Sequence, residues 1–414
     1  MKKALLIAFH WPPFSGSSGI QRTLRFAKYL PQFEWQPLVL SADPRAYPSR
    51  GNYLLADIPP GTVVRRAFAL DAGRQLAIRG RYLRFTALPD RWVSWWPAGV
   101  ATGMSLIRRY RPEIIFATYP IATAHLIGAT LSRLSGLPLV ADYRDAMVAV
   151  DVPEDPVVRR VFTRIEARVI RRASAAVFTT PRSREMYRAR YPSQPEGKLV
   201  CIRNGYDEAD FPTVPPRSPG LGQQPLKLLH SGLLKLNERD PRPFLAALAD
   251  LRRVGVLQAG AVEVVFRAPG DEAAHRRIIA DFGLADMVRV EAAVPYEAAL
   301  REMTQADALL IFQDAFCNHL VPAKLYEYIR AQRPVLALTD RQGETADLMR
   351  EARAGLVLDI TSTEEIRAAL PGFLQGVRDG TVVPAPLDVA RRYGRREQTG
   401  QLAALFDRVT GTAA

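Results

Sequence analysis

Short, largely apolar runs recur along this chain, many of them followed by a longer stretch with helical spacing. In the first half they fall at 4–9, 37–40, 114–118, 137–141, 174–180 and 199–202. In the second half they fall at 226–230, 263–266, 288–290, 308–312 and 335–338. A short apolar run without polar alternation predicts a strand covered on both faces. Strands of that kind separated by helices predict parallel sheets, hence an α/β fold. Between the two series, residues 211–225 hold five prolines and two glycines and read as a linker. The 414 residues suffice for two cores. The expected domains are 1–210 and 226–388, joined by 211–225. Residues 389–414 read as a closing helix, mainly 389–406.

The charge is uneven. Residues 1–210 hold 31 Lys and Arg against 17 Asp and Glu, a net +14, whereas the remainder holds 25 of each. That excess suits an anionic membrane surface, a nucleic acid or a phosphorylated substrate, or reflects an arginine-rich composition. Residues 74–111 concentrate it. Arg74, Arg79, Arg81, Arg84 and Arg91 alternate with Tyr82, Phe85, Trp92, Trp95 and Trp96. Such a mixture fits a membrane interface, a nucleic acid, or a helical pair with buried rings and solvated arginines. The two cysteines, Cys201 and Cys317, argue against a disulfide framework and for a reducing compartment. Met1-Lys2-Lys3 before 4–9 imitates a secretion signal, but the apolar run is too short, and it reads as the first strand. No run has the length of a membrane span.

Chemistry concentrates in 317–348. Pro322 suits the first position of a helix over 323–331, because its missing N–H costs nothing there. The free amides and positive dipole end of that helix suit a phosphate or diphosphate. Lys324 adds a point charge in the first turn, and Glu327, one turn on, can accept from ribose hydroxyls; a solvated Lys and Glu on a surface helix is the alternative. Near the start, the strand 4–9 leads into a loop with Gly16, Ser17 and Gly19, then a helix over 20–30. That order also brings amides to phosphate, but it has neither Walker nor dinucleotide spacing. Asp142, Arg144 and Asp145 stand at the end of strand 137–141, where open α/β sheets bind ligands, or else form an internal ion-pair cluster.

These segments resemble retaining family 4 glycosyltransferases of the GT-B fold. The resemblance rests on residues 322–328, 333–338 and Gly343-Glu344. It extends to Arg22 and 26–30 after the glycine-containing first loop, and to Asn204-Gly205-Tyr206-Asp207 at the close of the first half. Residues 138–145 resemble a bacterial surface-polysaccharide subgroup. Glu327 matches the second Glu of the family's E-x7-E pair; His319 stands where the first would be. Arg144 stands where the family often has a His, and Leu233 where an Arg is usual.

The resemblance implies two Rossmann-like parallel-sheet domains facing across a cleft, with the last helix returning to the first domain. It implies transfer of a sugar, without metal or other cofactor, from a nucleotide-sugar donor to a glycan or lipid-linked acceptor in cell-surface polysaccharide synthesis. Lys324 and Arg239 would face the diphosphate and Glu327 the ribose, with Gly232, Lys235, His319, Leu320, Val321, Gly343 and Glu344 around the donor. Gly16, Ser17, Gly19, Arg22, Arg144 and Asp145 would lie on the acceptor side. Lipid-linked acceptors favour membrane contact through 74–111, and hence a cytoplasmic protein peripheral on the inner membrane face. A nucleotide-sugar epimerase of the same architecture and a non-catalytic nucleotide-sugar-binding protein are the alternatives. Nucleic-acid motifs are absent from the sequence.

Overall fold

The computed structural model describes residues 1–16, 19–52, 54–149, 152–213, 225–258 and 260–411. Most of the linker, 214–224, and Ser17 lie outside the described residues. The chain forms two compact units, Met1–Asn204 with Arg395–Ala414, and Gly205–Gly394.

The first unit is built on seven strands: β1 (Lys2–Ile7), β2 (Trp35–Ala42), β3 (Val63–Ala67), β4 (Ile114–Thr118), β5 (Leu139–Tyr143), β6 (Ala175–Phe178) and β7 (Leu199–Cys201). Their order is β3-β2-β1-β4-β5-β6-β7, and every pairing is parallel. All five residues of β4 are buried, as its unbroken apolar run predicts. Helix Ala122–Ser135 lies close on the sheet at Gly128, where a Cβ would come within 2.7 Å of the Ala117 methyl. Helix Arg395–Thr410 packs against helix Gly19–Tyr29, and its Phe406 meets Trp35 and Phe116 at centroid distances of 5.3 and 6.1 Å. Asp407 accepts from Trp35 Nε1 at 3.0 Å and pairs with Lys2.

The second unit has six strands: β8 (Leu226–Ser231), β9 (Val262–Arg267), β10 (Val288–Glu291), β11 (Ala308–Gln313), β12 (Val335–Thr339) and β13 (Gly355–Leu358). They run parallel in the order β10-β9-β8-β11-β12-β13. Phe244, Phe266 and Phe312 meet edge to face in its core, at 5.8 and 6.0 Å. In each sheet the strand order reverses once, between β1 and β4 and between β8 and β11. Ligands of open α/β sheets bind outside the carboxyl ends of the strands at such a point.

Four local expectations need correction. The closing helix expected over 389–406 is two helices, Leu387–Arg391 and Arg395–Thr410. The chain breaks at Tyr393-Gly394, where the Tyr393 carbonyl accepts from Tyr206 N–H at 3.2 Å and Gly394 bridges Tyr206. The strand expected over 137–141 runs over Leu139–Tyr143, which carries Asp142 into the sheet interior. Pro322 is the N-cap, with φ −58 and ψ 130, so the helix begins at Ala323. Residues 74–111 are not a helical pair: a short helix Ala72–Gln75 and a 3-10 turn Arg84–Ala87 precede the single long helix Trp95–Tyr110.

Candidate functional site

The reversal point of the second sheet is also where the sequence places its densest chemistry. Helix Ala323–Arg330 turns Leu325, Tyr326, Tyr328 and Ile329 into the core, which fixes the opposite side of its first turn toward the end of β8. Tyr328 locks the two together, its hydroxyl accepting from Ser231 N–H at 2.8 Å.

Lys324 Nζ lies 3.1 Å from His230 Nε2 and 3.3 Å from the Leu233 carbonyl. His230 is fully buried, and its Nδ1 lies 2.9 Å from the Leu310 carbonyl. A carbonyl only accepts, so Nδ1 carries the proton and Nε2 is left as a bare acceptor for the lysine. Two of the three ammonium protons are thus seated on neutral acceptors, and one remains. Burial, then the nearby Arg239 charge, pushes Lys324 down to about 7, against the pull of Glu327. Burial holds His230 well below its ordinary value, and Lys324 adds to this, so the imidazole stays neutral. Gly232 borders the same atom: its φ is +93, and a Cβ there would come within 3.2 Å of Lys324 Nζ.

Arg239 donates from Nη1 to the Leu233 carbonyl at 3.1 Å, and among the described residues its buried Nε has no hydrogen-bond partner. Lys235 is paired with Glu238 at 2.9 Å. Glu327 Oε1 accepts from the Tyr296 hydroxyl at 2.9 Å, which orients the carboxylate. The segment before the helix is pinned to the next one. Glu344 N–H donates to the Asn318 carbonyl at 2.9 Å, and Asn318 Nδ2 donates to Asp340 at 2.6 Å. Gly343 caps helix Glu344–Ala352, and a Cβ there would lie 2.5 Å from Asn318 Oδ1, a buried acceptor with no hydrogen-bond partner among the described residues. The Leu320 amide is engaged in a turn with the Cys317 carbonyl at 2.9 Å, which takes it away from a ligand. His319 is half-buried beside it, and Val321 and the Glu344 side chain are buried.

In the first unit, Arg144 rests on the backbone of Gly19. A Cβ at Gly19 would sit 1.4 Å from Arg144 Nη1, so only glycine admits the guanidinium there. Arg144 also pairs with the half-exposed Asp145 at 3.4 Å. His10 stacks on Phe14 at 4.4 Å, and burial, then the Arg144 charge, lowers it to about 3. Gly16 takes a left-handed φ of +85 in the loop between them. Arg22 does not join this group. It is buried, pairs with buried Asp142 at 2.9 Å, and donates to the carbonyls of Ile202 and Arg203, both at 3.0 Å. For Asp142 the internal ion pair is therefore the correct reading.

His230, Tyr296 and Asn318 were not singled out in the sequence. Their side chains act at short range across long separations, and no local pattern marks them. Among the described residues no three His, Cys, Asp or Glu side chains group as metal ligands, and no helix is long and apolar enough to cross a membrane.

The glycosyl transferase 4-like domain family matches residues 18–205, somewhat under half of the chain. No curated protein sequence matches. Solved structures resemble the whole chain at low identity. Sucrose-phosphate synthase from Thermosynechococcus elongatus is 14% identical with a TM-score of 0.68, covering 100% of both chains. Anabaena HepE, solved with UDP and glucose, is 16% identical with a TM-score of 0.63, over 99% of this chain and 100% of that one. A UDP-N-acetylglucosamine 2-epimerase is 11% identical with a TM-score of 0.57, over 100% and 97%. At such identities the likeness establishes a fold of two Rossmann-like parallel-sheet domains, GT-B.

Proposed function

From the premise that this is a family 4-like glycosyltransferase chain of GT-B fold, we propose that it moves a sugar from a nucleotide-sugar donor to a glycan or lipid-linked acceptor, with retention of configuration. The observation that carries this reading is Lys324: a cation held by a neutral imidazole and a carbonyl, at the sheet's reversal point, with one N–H to spare. Charge builds on the leaving diphosphate as the glycosidic bond breaks. Fixed cations and amides aimed at that charge lower the barrier, because they need no reorganisation when it appears. Lys324 and Arg239 fill this role, with the helix start at Ala323 beside them. Glu327, oriented by Tyr296, receives the ribose hydroxyls. Gly232 keeps the approach open, and His319, with the Gly343–Glu344 turn, faces the sugar. No bound metal or other cofactor enters this scheme.

Gly19, Arg144 and Asp145 form the acceptor-side group. The acceptor belongs to surface-polysaccharide synthesis and is met at the inner face of the membrane, with residues 74–111 contributing the contact. The neighbour solved with UDP makes UDP the first nucleotide to try.

Calorimetric titration with UDP, GDP and ADP, on wild type and Lys324→Ala, tests the donor half. Saturable binding of one nucleotide, lost in the variant, is expected; equal binding by both proteins removes Lys324 from the site. The epimerase likeness is tested by incubating UDP-N-acetylglucosamine with no acceptor: steady interconversion of epimers there supports that second reading over transfer.

A further inference from the structure

The positive charge of the first unit has a definite arrangement. Helix Pro156–Arg172 exposes Arg160, Arg164, Arg168 and Arg171, whose spacing of four, four and three puts them on one stripe. At about 1.5 Å per residue the stripe from Arg160 to Arg171 runs over roughly 16 Å.

Each end of the stripe has a distinct structure. At the start, Asp155 caps the helix and also takes Arg84 Nη2 at 2.6 Å, which ties in the segment 78–85. Every residue of that segment is exposed. Ile78 is 79% exposed, Leu83 65% and Phe85 71%. Ile78 and Arg81 close a tight turn through reciprocal bonds of 2.8 and 3.0 Å, with φ +50 at Arg79 and +76 at Gly80. Positive φ at both central residues is the hairpin-type turn, which holds the apolar side chains out on a defined tip. No acidic residue occurs between Asp71 and Asp90.

At the far end, Arg133, Arg168, Arg171 and Arg172 line a cavity of about 280 Å³. Arg172 is fixed by Ser132, to Oγ at 3.1 Å and to the carbonyl at 2.6 Å. Among the described residues, no carboxylate pairs with Arg133, Arg168 or Arg171. A guanidinium cannot shed its proton to relieve such crowding, so a bound anion would stabilise the cluster. A free phosphate or a nucleic acid would answer the arginines but leave the Ile78, Leu83 and Phe85 side chains in water. An anionic bilayer answers both, because rings and aliphatic chains settle among headgroups while arginines meet lipid phosphates.

We propose that this face of the first unit docks on an anionic phospholipid bilayer, with the 78–85 tip entering the headgroup layer and a headgroup phosphate seated among Arg133, Arg168, Arg171 and Arg172. The inference rests on the reading that the protein works at a membrane, extends it from 74–111 to a second helix and a cavity, and is independent of the donor site.

The test is flotation of the full chain with phosphatidylcholine vesicles, with and without phosphatidylglycerol. Binding is expected only to the anionic vesicles and should weaken with salt. The double variant Arg168→Glu with Arg171→Glu should bind on the order of 600-fold more weakly, since each lost arginine near an anionic surface is worth about 5-fold and reversal doubles that change in free energy at each of the two sites. Phe85→Ser should weaken binding about 10-fold. All three positions are exposed, and unchanged melting curves and nucleotide affinity check that the variants are folded. No binding by wild type overturns both the membrane reading and this inference. Wild-type binding that the charge reversal leaves intact overturns the inference alone. Salt-sensitive binding to duplex DNA without vesicle binding assigns the face to another partner and overturns it as well.

Discussion

The two units treat their central cations in opposite ways. In the first, Arg22 is buried with a carboxylate and two carbonyls, so its charge is spent inside the fold. In the second, Lys324 is seated on an imidazole and a carbonyl, neither of which cancels its charge. Arg22 holds β5 and the 202–204 segment to the first helix. Among the described residues, Lys324 has no carboxylate in hydrogen-bond contact and only the nearby Glu327 to offset its charge, so an anionic ligand at this sheet's reversal point favours its ammonium form. Both stand early in a helix, and helix position alone does not tell them apart.

That contrast can be broken experimentally. The largest effect is expected from Arg22→Met, which leaves Asp142 charged and buried. Loss of one partner of a buried pair costs about 3–5 kcal/mol. Chemical denaturation should register it, and a loss under 1 kcal/mol would mean that Arg22 is not structural. Lys324→Ala should do the reverse, keeping the stability and losing transfer by about 10²–10³ in kcat. A variant that retains near-wild-type turnover with any accepted donor would dismiss the electrostatic assignment.

A third prediction concerns pH. The unliganded lysine, held near 7, is largely neutral above that value. An anionic ligand favours the ammonium, so binding takes up a proton. UDP affinity should therefore be highest toward pH 7 and fall by up to about 10-fold per unit above it. The groups facing Lys324 are His230, Arg239 and Glu327; His230 is neutral throughout this range, so the slope belongs to the lysine. Calorimetry at pH 8 in two buffers of different ionisation enthalpy reads the uptake directly, and its absence contradicts the assignment. The smallest effect is expected from Tyr296→Phe. It frees the Glu327 carboxylate from one hydrogen bond, costing about 0.5–1.5 kcal/mol in donor binding. An unchanged dissociation constant would show that Glu327 is positioned by other contacts.

The sheets were legible because most of their strands are interior. β4, β11 and β12 are buried throughout and read as unbroken apolar runs. The edge strands β3 and β13 were missed for the corresponding reason. β3 carries Arg65 and Arg66, and β13 starts at exposed Gly355, so neither shows the pattern of a covered strand. The helix break at Tyr393-Gly394 escaped notice because its cause is a bridge to Tyr206, far away in sequence.

Alone, the order of residues determined the alternation of strands and helices, the division into two sheets, and the helix start that sets Lys324 and Glu327 one turn apart. These follow from local propensity and periodicity, which neighbouring residues carry among themselves. Which cations are neutralised was decided only in three dimensions. His230 and Lys324 are 94 positions apart, and Arg22 and Asp142 are 120 apart. A charge's energy depends on what surrounds it in space, and chain neighbours supply little of that.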